Sequence, residues 1–228
     1  MLLPLQRKIG GMRSIARVIQ ALFFALALSG VAASGAVAEG ITAAGRELAS
    51  KLDSFDVENH WIAGEHVDWQ TGLPDGKPEK LPGKHTHCSA FVASAAETLG
   101  VYILRPPEHG QVLLANAQNE WLASPMAAAA GWRRLNDARE AQAAANRGEL
   151  VVASYHNHRD DIPGHIAIVR PSEKSDAEIG EEGPEIIQVG GHNYTMTTVK
   201  RGFASHPAAW GHNEIAYYAH VLKLGEHE

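Results

Sequence analysis

The feature that most constrains what this chain can fold into is a change of period at Gly148. Upstream of it apolar residues recur at helical spacing; downstream they come in short strand-like runs. "GITAAGRELASKLDSF" spaces Ile41, Leu48 and Leu52 for a helix, and the loop-rich "DWQTGLPDGKPEKLPGK" follows. The run from Cys88 to Leu99 lacks Gly and Pro, aligns Phe91, Ala95 and Leu99 with Val92 alongside, and stops at Gly100. "EHGQVLLANAQNEWL" (108–122), entered through Pro106 and Pro107, predicts another helix. "DAREAQAAAN" predicts a further one, capped by Asp137, with Glu140 completing a capping box and Asn146 to Gly148 as its stop.

Five predicted strands then follow: "ELVVASY" (149–155), "HIAIVR" (165–170), "EIIQVG" (185–190), "TMTTVKRGF" (195–203) and "IAYYAHVLKL" (215–224). Helices first and strands afterwards is the α+β pattern. It predicts N-terminal helices packed on one face of a mostly antiparallel, five-stranded sheet. In the last strand, Tyr217 and Tyr218 are expected on opposite faces, one in the core and one outside. The acidic "SEKSDAEIGEEGPE" reads as a solvated loop whose spacing is not that of a calcium site. No repeat and no long linker divides residues 39–228, so a single domain is expected there.

The first 38 residues read as a leader. Arg7, Lys8, Arg13 and Arg17 form a basic start, the apolar run from Val18 to Ala33 is short and broken by Gln20 and Gly30, and "AVA" precedes Glu39 as a small-x-small cleavage site. The expectation is export, to the periplasm or beyond. With the leader go four of the 20 basic residues and none of the 26 acidic ones, leaving a formal charge of −10. Such a balance argues against a nucleic-acid or anionic-membrane partner. Oligomeric state leaves no mark on the sequence.

Export sharpens the meaning of Cys88, the single cysteine of the chain, in "HTHCSAFVAS". It has no intramolecular partner for a disulfide, and a lone thiol in an oxidising compartment is a liability unless buried or used. Three readings are open: a packed core residue, a zinc ligand with His85 and His87, or a nucleophile. At the first turn of a helix, unpaired N–H groups favour the thiolate, and an imidazole from elsewhere could act as acid and base. His165 in "PGHIAIV", at the mouth of an apolar strand, is the best-placed imidazole; Gln188, His192 and Asn193 on the next strand could hold its ring.

"HCSAFVA" resembles the "DCSGFV"-type nucleophile motif of the NlpC-type papain-like cell-wall peptidases and their CHAP amidase relatives. "RGELVVASY…PGHIAIVR" is similar to the "pGDLvvf…gHvgiy" strand pair of those families, and "EIIQVGG" falls where they carry the third catalytic residue. The resemblance spans about Lys84 to Gly190, interrupted by a helical insert over about 105–147, and it departs from the pattern at His87 (usually an acid), at Ala90 (usually Gly) and in the long "HNHRDDIPG" loop. It implies a papain-like fold and amide hydrolysis in peptidoglycan stems without a cofactor. Cys88 would be the nucleophile, His165 the acid and base, and Gln188 the orienting residue, with Asn193 as second choice. His87, Ser89, Trp69 and His192 would meet the substrate. The runner-up is a secreted, non-catalytic binding module of the same fold, with zinc held through His85, His87 and Cys88.

Overall fold

The computed structural model describes residues 40–78 and 85–224; the expected leader (1–38) lies outside them. Six strands form one antiparallel sheet: β1 (Trp132–Arg134), β2 (Leu150–Tyr155), β3 (His165–Val169), β4 (Glu185–Gln188), β5 (Tyr194–Thr198) and β6 (Ala216–His220). Their order is β1-β6-β2-β3-β4-β5, so β2 and β3 are central. They pair from Val151 opposite Val169 to Tyr155 opposite His165. Around the sheet lie α1 (Ala43–Asp53), α2 (Cys88–Thr98), α3 (Leu114–Leu122), α4 (Pro125–Ala129), α5 (Ala138–Asn146), α6 (Asp176–Glu182), α7 (Val199–Gly202) and α8 (Pro207–Gly211).

The expectation of helices on one face does not hold. Leu150, Val152, Ile166 and Ile168 join α1 to α4 in one apolar core, while Val151, Ala153, Ala167 and Val169 join α5, α7 and α8 in a second. Every residue of β2 and β3 is buried. A strand covered on both sides needs apolar residues at successive positions rather than at alternate ones, which is what "LVVA" and "IAIV" supply. Hence Tyr217 and Tyr218 do point to opposite faces, yet both are buried, at 7% and 2% exposure, one in each core.

The helical insert is corrected too. Trp132–Arg134 within it is an edge strand paired with β6, bringing the strand count to six. Its first helix begins at Leu114, because Leu113 takes a left-handed φ of 59° that no continuous helix from residue 108 could accommodate. Downstream, β5 ends at Thr198, whose hydroxyl accepts the Arg201 N–H and so starts α7 where a strand was expected to continue. The acidic stretch is also structured in part. Ser175 and Glu178 form a reciprocal capping box that opens α6, a seven-residue helix seated by buried Ile179.

The expected helix of Cys88 is present and nearly engulfed. Residues Cys88 through Ala96 are buried without a break, small alanines letting α2 lie close on β3. No helix among the described residues is long and apolar enough to cross a membrane.

Candidate active site

The site is built from three pieces of chain that meet around the beginning of β3. The first is the entry to that strand. Gly164 sits so close to β2 that a Cβ there would run into the Tyr155 carbonyl. Its N–H donates to Asn116 Oδ1 at 2.7 Å, and the same oxygen accepts the Asn157 N–H at 3.2 Å. Asn116 Nδ2 donates to the Ile162 carbonyl at 3.1 Å, so this buried side chain of α3 pins both ends of the β2–β3 loop. That bracing fixes where His165 leaves the loop.

The second piece is the imidazole itself. His165 is 4% exposed, and its Nε2 lies 2.7 Å from Gln188 Oε1. Gln188, 3% exposed, donates its own amide nitrogen to the His192 carbonyl at 2.6 Å. That second bond settles which end of the amide faces the ring: the oxygen does, so Nε2 carries a proton and donates it. In neutral His165, Nδ1 therefore holds the lone pair. Burial and, to a smaller extent, the nearby His206 pull the His165 pKa down to about 4, against the bond to Gln188, which works in the opposite direction. At neutral pH the ring is an uncharged base.

The third piece is the thiol. Cys88 opens α2, 4% exposed and within the first core. Burial pushes the thiol above its ordinary value. The backbone N–H groups of Ile166, Ser89 and Cys88 itself face the sulfur and pull the other way, as does the Ser89 side chain. The helix-start argument for a resting thiolate is thus corrected: desolvation outweighs the N–H groups, and the resting site pairs a neutral thiol with a neutral imidazole. Ile166 follows His165 directly, so the sulfur lies against the backbone one residue from the ring. Thiol and Nδ1 make no hydrogen bond to each other. The reason lies in the pleat: His165 projects to the second core with Ala167 and Val169, whereas Cys88 comes from the first.

The other expected residues fall in different places. Asn193 does not touch the ring. Its Oδ1 accepts the Gly190 N–H at 2.9 Å, and its Nδ2 donates to the carbonyls of Val57 at 2.8 Å and His60 at 2.9 Å. His192 is exposed, its ring stacked on Tyr194 at 6.5 Å, and Trp69 is half-buried against the first core. His87 and Ser89 are buried rather than lining an open loop. His87 Nε2 engages the Glu65 carbonyl at 2.9 Å, and the Ser89 carbonyl accepts from Gln118 at 3.1 Å. Among the described residues no three His, Cys, Asp or Glu side chains are grouped closely enough to hold a metal ion, so the geometry lends no support to zinc at His85, His87 and Cys88.

Sequence reasoning missed Asn116, His206, Phe203 and Tyr155. Phe203 meets the His165 ring edge-on at 4.6 Å, and His206 stacks on it at 5.7 Å with 18° between planes. Tyr155 in turn touches His206, at 5.5 Å. One signal was available for Asn116: with Gln118 it is a polar residue on the apolar side of a helical pattern, which a satisfied buried side chain explains.

A cavity of about 750 Å³ between Tyr102, Leu104, Trp121 and Met126 shares Ala117 and Glu120 with a smaller one, about 270 Å³, that reaches Asn116, His156 and Asp160. Neither is lined by Cys88 or His165, but the smaller one borders the residue that braces Gly164.

Comparison with known protein families finds no family model that the sequence matches, and comparison with curated proteins finds no significant match.

Proposed function

We propose that the chain is an exported cysteine hydrolase of papain-like fold that cleaves an amide bond, with the peptide stems of peptidoglycan as its substrate. The observation that carries the reading is the His165–Gln188 bond of 2.7 Å, which leaves Nδ1 as a free base one residue from the backbone N–H that faces the Cys88 sulfur. A nucleophile at a helix start, a histidine at a strand mouth and an amide that fixes the tautomer together supply the parts that acyl transfer needs.

This mechanism requires substrate binding to carry Nδ1 around the start of β3 to the thiol, because ring and sulfur rest on opposite faces of the strand. Nδ1 takes the thiol proton as sulfur adds to the amide carbonyl. The Cys88 backbone N–H then donates to the oxyanion that forms. Gln188 Oε1 stabilises the imidazolium through Nε2–H. The ring returns its proton to the leaving amine as the C–N bond breaks, giving a thioester. Water, deprotonated by Nδ1, adds to the thioester, and the thiol leaves as its proton comes back. Exposed His192 and half-buried Trp69 are the expected residues still open to substrate contact; His87 and Ser89 are buried away from it.

The deciding experiment is digestion of purified peptidoglycan by wild type and by Cys88→Ala, with products identified by mass. Products from wild type alone are expected, and equal product from both sinks the proposal. A second reading, a non-catalytic binding module of the same architecture, is favoured by the buried thiol and the missing bond to Nδ1. It predicts no product from either protein. Slow alkylation of the native thiol is expected on both readings, so the product analysis separates them.

A further inference from the structure

We infer that His206 is a positioning residue for His165: stacked on the imidazole from the turn between α7 and α8, it fixes the plane of the ring. The geometry is specific. His206 and His165 lie 5.7 Å apart at 18°, close to parallel, and Phe203 closes the adjoining side of the ring at 4.6 Å and 74°. Both come from one turn, tied by the His206 N–H to the Phe203 carbonyl at 2.8 Å. Pro207 at the start of α8 stiffens the backbone just beyond His206. On its other side His206 rests on Tyr155, which is the register partner of His165 in β2. Gln188 thus holds the ring at one edge while His206 and Phe203 hold its plane.

Stacking two imidazoles in a site from which water is largely excluded has an electrostatic consequence. Both rings cannot carry a proton cheaply, so they titrate as a pair. Burial lowers the pKa of each, and His165 is the more deeply buried, so the first proton goes to His206. A protonated His206 then opposes charge on His165. A neutral one leaves its ring face to the imidazolium formed during turnover. The other titratable group facing the pair is Tyr155 from β2; Cys88 lies across β3, in the first core. Beyond Tyr155 lies His158, at 6.4 Å, bound to Glu214 at 2.8 Å. Gln188 from β4 is neutral.

The inference rests on the hydrolase reading only for its effect on turnover; the ring's titration can be read whether or not the chain cleaves anything. The test is nitrogen NMR of the full chain labelled at histidine, across pH, for wild type, His206→Phe and His206→Ala. In wild type His165 should titrate well below an ordinary histidine, with the proton of its neutral form on Nε2. Phe keeps the stacked surface and removes the charge, so the His165 midpoint should rise by about one unit with the tautomer retained. Ala also admits water, so the midpoint should rise further and the tautomer bias weaken. Unchanged midpoint and tautomer in both variants would overturn the inference. If Ala prevents folding, an unchanged His206→Phe titration is sufficient to do so. A shifted titration with no peptidoglycan product would sink the hydrolase and leave this inference standing. Product with an unmoved titration would do the reverse.

Discussion

The two sides of β3 treat their reactive groups differently. On the first, Cys88 lies among aliphatic and aromatic side chains, and the groups that oppose its burial are mainly backbone N–H dipoles. On the second, His165 is enclosed by side chains chosen for shape and hydrogen bonding: Gln188, Phe203, His206 and, one ring further, Tyr155. The thiol is set by where a helix begins, the imidazole by what packs around it. The strand between them acts as a partition, and its beginning, at Gly164 and His165, is where the two sides can meet.

The largest effect should come from attacking that meeting point. Gly164→Ala drives a methyl into the Tyr155 carbonyl and crowds Asn116, and a denaturant melt should show a loss of about 3 kcal/mol or more. If the loss is below about 1 kcal/mol, the strand entry is not the rigid junction described.

Next in size is a pH effect specific to the imidazole side. His165 has a folded-state value near 4 against 6.5 for an ordinary histidine. Between those values the unfolded chain binds the proton more readily, so stability is full above about pH 6.5 and falls as pH drops toward 4. The loss amounts to about 3 kcal/mol. Melts from pH 7 to 4 should show it in wild type, and His165→Phe should flatten the slope across that window. The thiol contributes nothing there, because it is neutral in both states.

Gln188→Glu sharpens the contrast by placing a carboxylate against Nε2–H. The imidazolium becomes favoured, the His165 pKa rises, and a cation beside the thiol promotes thiolate. Alkylation by iodoacetamide at pH 6 should accelerate by about tenfold over wild type. An unchanged rate would mean that the ring and the sulfur do not communicate.

The smallest effect compares the faces in one strand. Tyr218 accepts a hydrogen bond from Arg134 Nη1 at 2.9 Å, whereas the Tyr217 hydroxyl makes none among the described residues. Tyr218→Phe should cost about 1 kcal/mol and Tyr217→Phe close to nothing, read from paired thermal melts.

The sequence pattern was sufficient for the α+β class, for α2 starting at Cys88 and for β2, β3, β4 and β6, because long apolar runs bounded by Gly or Pro are strong local signals. The pattern left Gln188, His192 and Asn193 open as partners of His165; the preference for Gln188, which does contact the ring, came from the family resemblance. What escaped had weak or conflicting local signals. β1 is three residues long, too short for any period to register, and is held by pairing with β6 some 85 residues later in the chain. α6 has one buried apolar residue, so its composition read as loop although the Ser175–Glu178 capping box was there to be seen. Double-sided burial was legible in the unbroken "LVVA", which a one-faced sheet does not require. His206 and Asn116 reach the site through tertiary packing, and nothing in a linear pattern says which loop residue will stack on which ring.

Asn193, without a role in orienting the imidazole, has another consequence. Its amide joins the β4–β5 turn to carbonyls more than 130 residues earlier, at Val57 and His60, while Thr42 reaches the Asn146 carbonyl across 104 residues. Contacts of such separation close only after most of the chain has condensed, which places folding toward the slow end of the range for a domain of this size. The early segment and the late sheet therefore mature together, and a chain cut between them would have no half able to finish its own core.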